Sequence, residues 1–187
     1  MTSSSSSPDI FNTSHALNFL RRSNSDFSSH DFLYTWAARD IAERLADIRR
    51  EFSRVLLCGA RTRDVLGRDY PSATILEEIT PEALSDLAGQ FDLILVLGDL
   101  HRANDLPGVL VQLRRALVPD GVMIAAFAGG DTLQELRAAL LQAELSVLGG
   151  ASPRVFPFAD KQQMASLMQR AGFTLPVVDS ELLTVSY

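Results

Sequence analysis

The stretch RVLLCGARTRDVL, residues 54–66, joins an apolar run to a single glycine and then to a polar segment with helical spacing. Val55–Cys58 is predicted to be a buried strand, Gly59 a tight turn, and the residues after it the start of a helix. A strand that passes through a glycine turn into a helix is typical of a doubly wound α/β sheet. Such sheets bind ligands beyond the carboxyl ends of their strands, so Gly59 marks a candidate crevice.

Strands and helices alternate on both sides of this stretch, which predicts a mostly parallel sheet of about six strands. The run FDLILVLG, residues 91–98, is apolar enough for a strand buried on both faces. We expect Trp36 and Ile41 to pack the first long helix against the domain or over the crevice. The other predicted elements are that helix at 31–52, a strand at 73–77, a helix at 105–117, a strand within 119–128, helices at 131–148 (capped by Asp131 or Thr132) and 160–172, and an antiparallel hairpin of strands 174–178 and 182–187.

Composition narrows the class of protein. The formal net charge of −6 gives no general attraction to nucleic acid or to an anionic membrane. One cysteine, Cys58, excludes an internal disulfide framework and a multi-cysteine zinc site, and is expected to be a small buried residue. No apolar run approaches the roughly 20 residues that a membrane span needs. These features predict a cytoplasmic protein in a reducing compartment.

The chain is predicted to divide into three parts. The serine-rich residues 1–9 are expected to be disordered, since they lack the apolar stretch of a secretory signal. Residues 10–52 form an N-terminal helical segment, and residues 53–187 form the α/β domain.

Several segments together resemble a known family. LHRANDLPGVLVQLRRALVPDG (100–121), GGDTLQELR (129–137) and GGASPRVFPF (149–158) are similar to class I S-adenosylmethionine-dependent methyltransferases. The subgroup they resemble most is that of complex I assembly factor 5 and the biotin-pathway malonyl-carrier-protein methyltransferase. The resemblance covers nearly the whole chain from Ile10, and it implies a Rossmann-like methyltransferase fold with S-adenosylmethionine as cofactor. The family usually continues with a further helical segment, so we expect a truncated or shortened member.

The family's first motif is an acidic residue followed by three alternating glycines, and it matches this chain only in part. The corresponding residues are Leu57, Gly59, Arg61 and Arg63. Glycine lets the main chain approach a cofactor with positive φ. An arginine there would bring a long side chain into the pocket, and a left-handed conformation would cost it about 1–2 kcal/mol. We therefore predict weakened or lost binding of S-adenosylmethionine.

The family's second motif matches better. EEITPEAL, residues 77–84, fits its acid-x-Ser/Thr-Pro pattern, and the resemblance implies that Glu78 accepts hydrogen bonds from both ribose hydroxyls. A solvated residue at a strand end is the alternative interpretation. Only twelve residues separate Glu78 from Phe91. The family's third strand and its adenine-contacting loop are therefore predicted to be missing.

Two residues after the buried strand complete the candidate site. Asp99 could hold a polar group of a ligand or cap the strand end, and His101 could act as a base or be a hydrogen-bonded structural residue. The candidate cofactor-binding residues are thus Gly59, Glu78, Asp99 and His101. No catalytic residue and no metal ligand is assigned.

Three functions stay open on the sequence. The first is an active methyltransferase acting on a small acid, an acyl carrier or a protein side chain. The second is a non-catalytic scaffold, for instance in respiratory-complex assembly, and the third is the arginine hydroxylation associated with the assembly-factor branch. Family resemblance favours the methyltransferase, whereas the incomplete glycine motif favours the scaffold. The oligomeric state is not predicted.

Overall fold

The computed structural model describes residues 12–152 and 154–185, and its centre is a parallel sheet of four strands in the order β2-β1-β3-β4. The strands are β1 (Val55–Cys58), β2 (Thr74–Leu76), β3 (Phe91–Leu97) and β4 (Leu117–Ala126). The α-helices are α1 (Thr13–Arg22), α2 (Phe32–Ala46), α3 (Thr62–Leu66), α4 (Pro81–Leu84), α5 (Leu106–Ala116), α6 (Gln134–Leu148) and α7 (Lys161–Arg170). Short 3₁₀ helices span Ser23–Ser29, Ser85–Leu87 and Leu100–Arg102.

The sheet is buried on both faces, as expected for parallel strands. On one face, Leu56, Ile94 and Val96 pack in the cluster that holds the buried side of α5. On the other face, Leu57 and Leu95 pack with Ile41 of α2. All seven residues of β3 are buried, which confirms the prediction from its apolar run. Because β1 and β3 are parallel and adjacent, their carboxyl ends open on the same edge of the sheet.

The short connection between β2 and β3 confirms one prediction. Residues 77–90, all of which the structure describes, contain α4 and a 3₁₀ turn but no strand. Thr80 caps α4 by accepting a hydrogen bond from the amide of Ala83, and Pro81 follows it at the first helical position. The usual third strand is therefore absent, and β2 is an edge strand.

The predicted C-terminal hairpin is wrong, and with it the count of about six strands. Residues 174–185 form no strand within the described part of the chain. Leu175 has a left-handed backbone (φ 52°) and Pro176 cannot donate to a ladder, so the extended path is broken at the start. Leu175, Val177 and Leu182 are exposed, and Asp179 forms an ion pair with Arg44 of α2.

The first long helix exists, but its inner face differs from the predicted one. Ile41 is buried as expected, whereas Trp36 is 37% exposed and so lies outside the core. Tyr34 turns inward instead, because Gly98 leaves room for its ring against the main chain. The proposed boundary between 10–52 and 53–187 stays a prediction, but α2 packs in the core of the sheet. The predicted disorder of 1–9 lies outside the described residues.

Helices α6 and α7 differ in how well their predicted starts match the structure. Helix α7 lies within the predicted range 160–172, and a capping box of Asp160 and Gln163 starts it. Helix α6 begins at Gln134, after Leu133 with φ 54°, so neither Asp131 nor Thr132 caps it. Most of α6 is exposed, including Leu141, Leu145 and Leu148. It is fastened at its carboxyl part, where Glu144 accepts hydrogen bonds from the Ser152 amide (2.8 Å) and the Arg154 side chain.

Candidate functional site

Gly59 lies where the carboxyl ends of three strands meet. Its amide donates to the carbonyl of Leu76 (2.9 Å), and its φ of 118° suits glycine. A Cβ atom there would stand 2.8 Å from the carbonyl oxygen of Leu97 and 2.9 Å from an oxygen of Asp99. This one predicted glycine is therefore required by the tight approach of β1, β2 and β3.

Asp99 follows β3 and faces the turn after β1. One carboxylate oxygen accepts a hydrogen bond from the amide of Ala60 (2.7 Å), and the other is paired with the guanidinium of Arg102. Asp99 is buried. Both of its oxygens are thus engaged by groups of this chain, which favours the structural interpretation of this residue over a free ligand-binding carboxylate.

Arg61 occupies the next position of the glycine motif, and the residue is only 3% exposed. The guanidinium donates to the carbonyl of Leu20 (2.6 Å), lies 3.4 Å from the carboxylate of Asp64, and stands over the ring of Phe27 at 4.2 Å. These contacts fasten the segment 13–29 to the turn after β1. A guanidinium on an aromatic face is a cation–π contact, which gains strength when it is buried.

The backbone strain expected of the two arginines is not present. Arg61 has φ −111° as the residue before α3, and Arg63 lies exposed within that helix. The chain avoids left-handed arginines because α3 begins directly after the turn. Only Arg61 of the two therefore places its side chain in the interior.

Tyr34 closes the same region from the side of α2. A Cβ atom on Gly98 would lie 2.7 Å from its ring, and the ring makes an edge-to-face contact with Phe27 (centroids 5.4 Å apart). Burial, and then the charge of Asp99, raise the pKa of the Tyr34 hydroxyl. We call the region bounded by Gly59, Tyr34, Arg61, Gly98 and Asp99 the crevice.

Glu78 does not share this burial. It lies exposed in the bend that follows β2, two residues beyond Leu76. Its predicted contact with a ribose stays a prediction. Cys58, the last residue of β1, is fully buried, and burial raises the pKa of its thiol, in keeping with the expected packing role.

His101 lies in a second hollow, which we call the His101 pocket. This pocket has a volume of about 210 Å³, and its walls include His101 and Asn104 with the apolar Leu106, Pro107, Phe127 and Pro157. Two aromatic rings that follow α6 lie next to the imidazole. The centroid of the imidazole is 6.0 Å from that of the Phe156 ring and 5.3 Å from that of the Phe158 ring.

The imidazole of His101 is electrically neutral at physiological pH. Burial, and then the charge of Arg102, lower its pKa to about 4. Its Nδ1 atom is buried and has no hydrogen-bond partner among the described residues. The alternative of a satisfied structural histidine is thus not what the structure contains, and the ring keeps unused hydrogen-bonding capacity.

The four predicted residues lie at different points along the carboxyl edge of the sheet, and their role as one cofactor site stays a prediction. Gly59 and Asp99 belong to the crevice, His101 to the neighbouring pocket, and Glu78 to the exposed bend after β2. Sequence reasoning missed the inward turn of Tyr34 and the contact of Arg61 with Phe27. Neither leaves a local signal, because each pairs residues from separate segments of the chain.

Metal-binding clusters and membrane spans are two further kinds of feature that bear on function. In the described part of the chain, no group of three or more His, Cys, Asp or Glu residues could hold a metal ion. None of the helices described there has the length and apolar character to cross a membrane.

Comparison with known sequences finds relatives of two kinds. The mitochondrial arginine-hydroxylase NDUFAF5 of Danio rerio is 32% identical over 185 residues, covering 87% of this chain and 58% of that protein. The malonyl-(acyl-carrier protein) O-methyltransferase of Halorhodospira halophila is 38% identical over 97 residues, covering 52% of this chain and 31% of that enzyme. The chain thus spans little more than half the length of the zebrafish protein. No protein-family model matches it.

Comparison with solved structures supports the same fold. The crystal structure of an S-adenosylmethionine-dependent methyltransferase from Thermotoga maritima, a possible histamine N-methyltransferase, superposes with a TM-score of 0.53. The match covers 84% of this chain and 79% of that one, at 17% sequence identity. At this identity the likeness establishes a Rossmann-like methyltransferase fold and nothing about activity.

Proposed function

This chain belongs to the class I S-adenosylmethionine-dependent methyltransferase superfamily, and from that premise we propose that its cofactor crevice is closed by its own side chains. On this proposal the protein acts by binding another protein, as a scaffold or assembly factor, and not by transferring a methyl group. The observation that carries the proposal is the buried guanidinium of Arg61, fastened to Leu20 and Phe27.

The first support is steric. The family's glycine at this position leaves space for the cofactor beside the turn, whereas Arg61 fills space there and holds segment 13–29 over it. Removing that side chain from its position would break a charge-assisted hydrogen bond worth about 1.5–3 kcal/mol. A cofactor would have to offset this cost before gaining any affinity.

The second support is electrostatic. S-adenosylmethionine carries a sulfonium and an ammonium cation, and the crevice presents Arg61 where such cations would need a carboxylate. Asp99 offers little compensation, because Arg102 already pairs with it. The family's acidic position holds Leu57, which is fully buried in the core. The residues present in the crevice therefore do not fit this cofactor, and they support no methyl-transfer step.

The third support is the shortened edge of the sheet. The adenine side of a methyltransferase pocket is normally built from the third strand and its loop, and residues 77–90 contain neither. Glu78, exposed in the bend after β2, would be left to hold the ribose alone.

The partner and the compartment are further parts of the proposal. The relatives' names point to arginine, which is a common residue on protein surfaces, and to an acyl-carrier protein as the molecules acted on. We therefore expect a protein partner, not a free small acid. The NDUFAF5 relatives are named as mitochondrial, whereas the sequence predicted a cytoplasmic location. Fractionation of cells that produce the protein distinguishes the two compartments.

Calorimetric titration with S-adenosylmethionine tests the closed crevice. We expect no saturable binding below about 1 mM by the natural chain, because micromolar affinity needs about 8 kcal/mol that this crevice does not supply. Arg61→Gly should bind more tightly than the natural chain if the walls survive, whereas the exposed Arg63→Gly is the matched control and should change nothing. Far-ultraviolet circular dichroism verifies that each variant is folded.

Two results would count against the proposal. Micromolar binding by the natural chain would mean that segment 13–29 moves aside, and the methyltransferase or the arginine hydroxylase becomes the favoured function. Tighter binding by Arg63→Gly than by Arg61→Gly would mean that the buried guanidinium is not the obstacle. If neither variant binds S-adenosylmethionine, the scaffold remains the proposed function, and the loss of binding is attributed to the missing adenine side of the pocket.

A further inference from the structure

The His101 pocket is distinct from the crevice in its chemistry. None of the described residues that line it carries a charge, and Leu106, Pro107, Phe127 and Pro157 make most of its wall apolar. The crevice, by contrast, is bounded by Arg61 and Asp99. What binds in one would therefore not bind in the other.

The volume of the pocket sets the size of an occupant. Its 210 Å³ exceed the about 150 Å³ of an engineered apolar cavity that takes up benzene. A six-membered ring with one or two small substituents therefore fits. Because burying an isolated charge is costly and nothing in the wall could pair with one, that ring has to be uncharged.

Water is a poor occupant of the same space. An ordered water needs two to four polar partners, and the side chains of the pocket supply only His101 and Asn104. The His101 imidazole nevertheless lines the pocket and stays uncharged. Its Nδ1 is buried out of reach of an occupant, so Nε2 is the nitrogen that can meet one. A neutral imidazole donates from one nitrogen and accepts at the other, so a hydroxyl group, which can do both, matches it in either tautomer.

We propose that the His101 pocket binds an uncharged ring that carries one hydroxyl group, with the ring against Phe127 and the prolines and the hydroxyl hydrogen-bonded to the imidazole of His101. A phenol is the simplest such group. It can come from a free small molecule or from a tyrosine side chain of a protein partner. Such binding does not require the crevice to be closed.

Nuclear magnetic resonance titration of the full chain with p-cresol and with toluene tests the proposal. The two rings have nearly the same size, and only p-cresol carries the hydroxyl. We expect p-cresol to bind with a dissociation constant of about 1 mM, as suits so small a ligand, and toluene at least about fivefold more weakly. Shifts should be confined to amides of residues 100–106, 127, 156, 158 and 159.

Substitution identifies the residue responsible. His101→Phe keeps a flat ring but removes both nitrogens, so p-cresol should weaken about fivefold and lose its advantage over toluene. His30→Phe is the matched control, since His30 is exposed and far along the chain, and it should leave both affinities unchanged. A third probe, N-acetyltyrosinamide, separates the sources: its binding indicates a partner's side chain, and binding of p-cresol alone indicates a free small molecule.

Three results would overturn the inference. These are the absence of p-cresol binding up to about 10 mM, ten times the expected constant, equal affinity for toluene and p-cresol, and an unchanged p-cresol affinity in folded His101→Phe. An intact amide spectrum of that variant distinguishes the last result from loss of the fold.

Discussion

The crevice and the His101 pocket lie at the same edge of one sheet, yet they are built in opposite ways. In the crevice, the charged groups are held by other groups of the chain: Asp99 is paired with Arg102, and Arg61 is bound to a carbonyl and an aromatic ring. In the pocket, an apolar wall surrounds an imidazole whose Nδ1 has no partner among the described residues. A crevice occupied by the chain's own charged side chains has little left to offer a ligand, whereas an apolar pocket with a neutral imidazole in its wall can bind one.

The strongest test of the crevice is the removal of its carboxylate. Asp99→Ala should lower the free energy of unfolding by about 4 kcal/mol, because it leaves the Ala60 amide unpaired and the largely buried Arg102 without its counter-ion. Urea denaturation measures this loss. Asp40→Ala removes a carboxylate from the solvent-exposed ion pair with Arg44 and should cost less than about 1 kcal/mol. Equal losses of stability in the two variants would mean that the carboxylate of the crevice stabilises the fold no more than a surface carboxylate does.

The second test concerns the pocket and uses pH. The folded protein holds the pKa of His101 at about 4, below its ordinary 6.5, so between these values the unfolded chain binds the proton more readily. Stability is therefore full above pH 6.5 and falls as the pH drops toward 4, by at most about 3 kcal/mol. Denaturation at pH 7 and pH 5 should show this slope in the natural chain and a smaller one in His101→Phe. A slope that is the same in both would contradict the neutral imidazole.

A third, smaller effect concerns the fastening of segment 13–29. Arg61→Met keeps the length of the side chain but removes its bond to Leu20 and its charge over Phe27. Amide hydrogen exchange in residues 23–29 should rise about tenfold, as expected for the loss of one charge-assisted hydrogen bond. Arg63→Met provides the control from the exposed side of α3. Unchanged exchange in Arg61→Met would show that α2 alone holds the segment in place.

The smallest effect is expected at a position outside both the crevice and the His101 pocket. Leu145 is 54% exposed on α6, so Leu145→Gln should change the free energy of unfolding by no more than about 0.5 kcal/mol. It should also leave the p-cresol affinity unchanged. Chemical denaturation and the same titration measure both quantities, and a clear loss in either would mean that α6 packs on the pocket more closely than its exposure indicates.

The sheet was largely predictable, because its signals are local. The apolar run of β3, the glycine after β1 and the twelve residues between Glu78 and Phe91 each confirm their predictions without any knowledge of distant contacts. The C-terminal hairpin was wrong, since β-propensity in Val177 and Leu182 was weighed without the break at Leu175 and Pro176. Strand pairing depends on a partner edge, and residue types alone do not specify one.

The position of the candidate site could be predicted from the sequence, but the contacts of its side chains could not. Gly59 and Asp99 lie where the ends of parallel strands were expected to meet. The sequence also indicated that Arg61 would enter the crevice, but not that Leu20 and Phe27 would hold it there. Such pairs join segments many residues apart, and their geometry is set by how α2 packs and not by any motif.

The outer edge of β4 has a consequence for handling the protein in solution. Within the described residues β4 pairs only with β3, so VMIAA, residues 122–126, presents unpaired backbone groups along an uncharged apolar stretch. Natural sheets usually protect such edges with charge, proline or a covering segment. Two chains that meet edge to edge here would extend each other's sheets, so precipitation should accelerate with the square of concentration. Dilute storage should slow it.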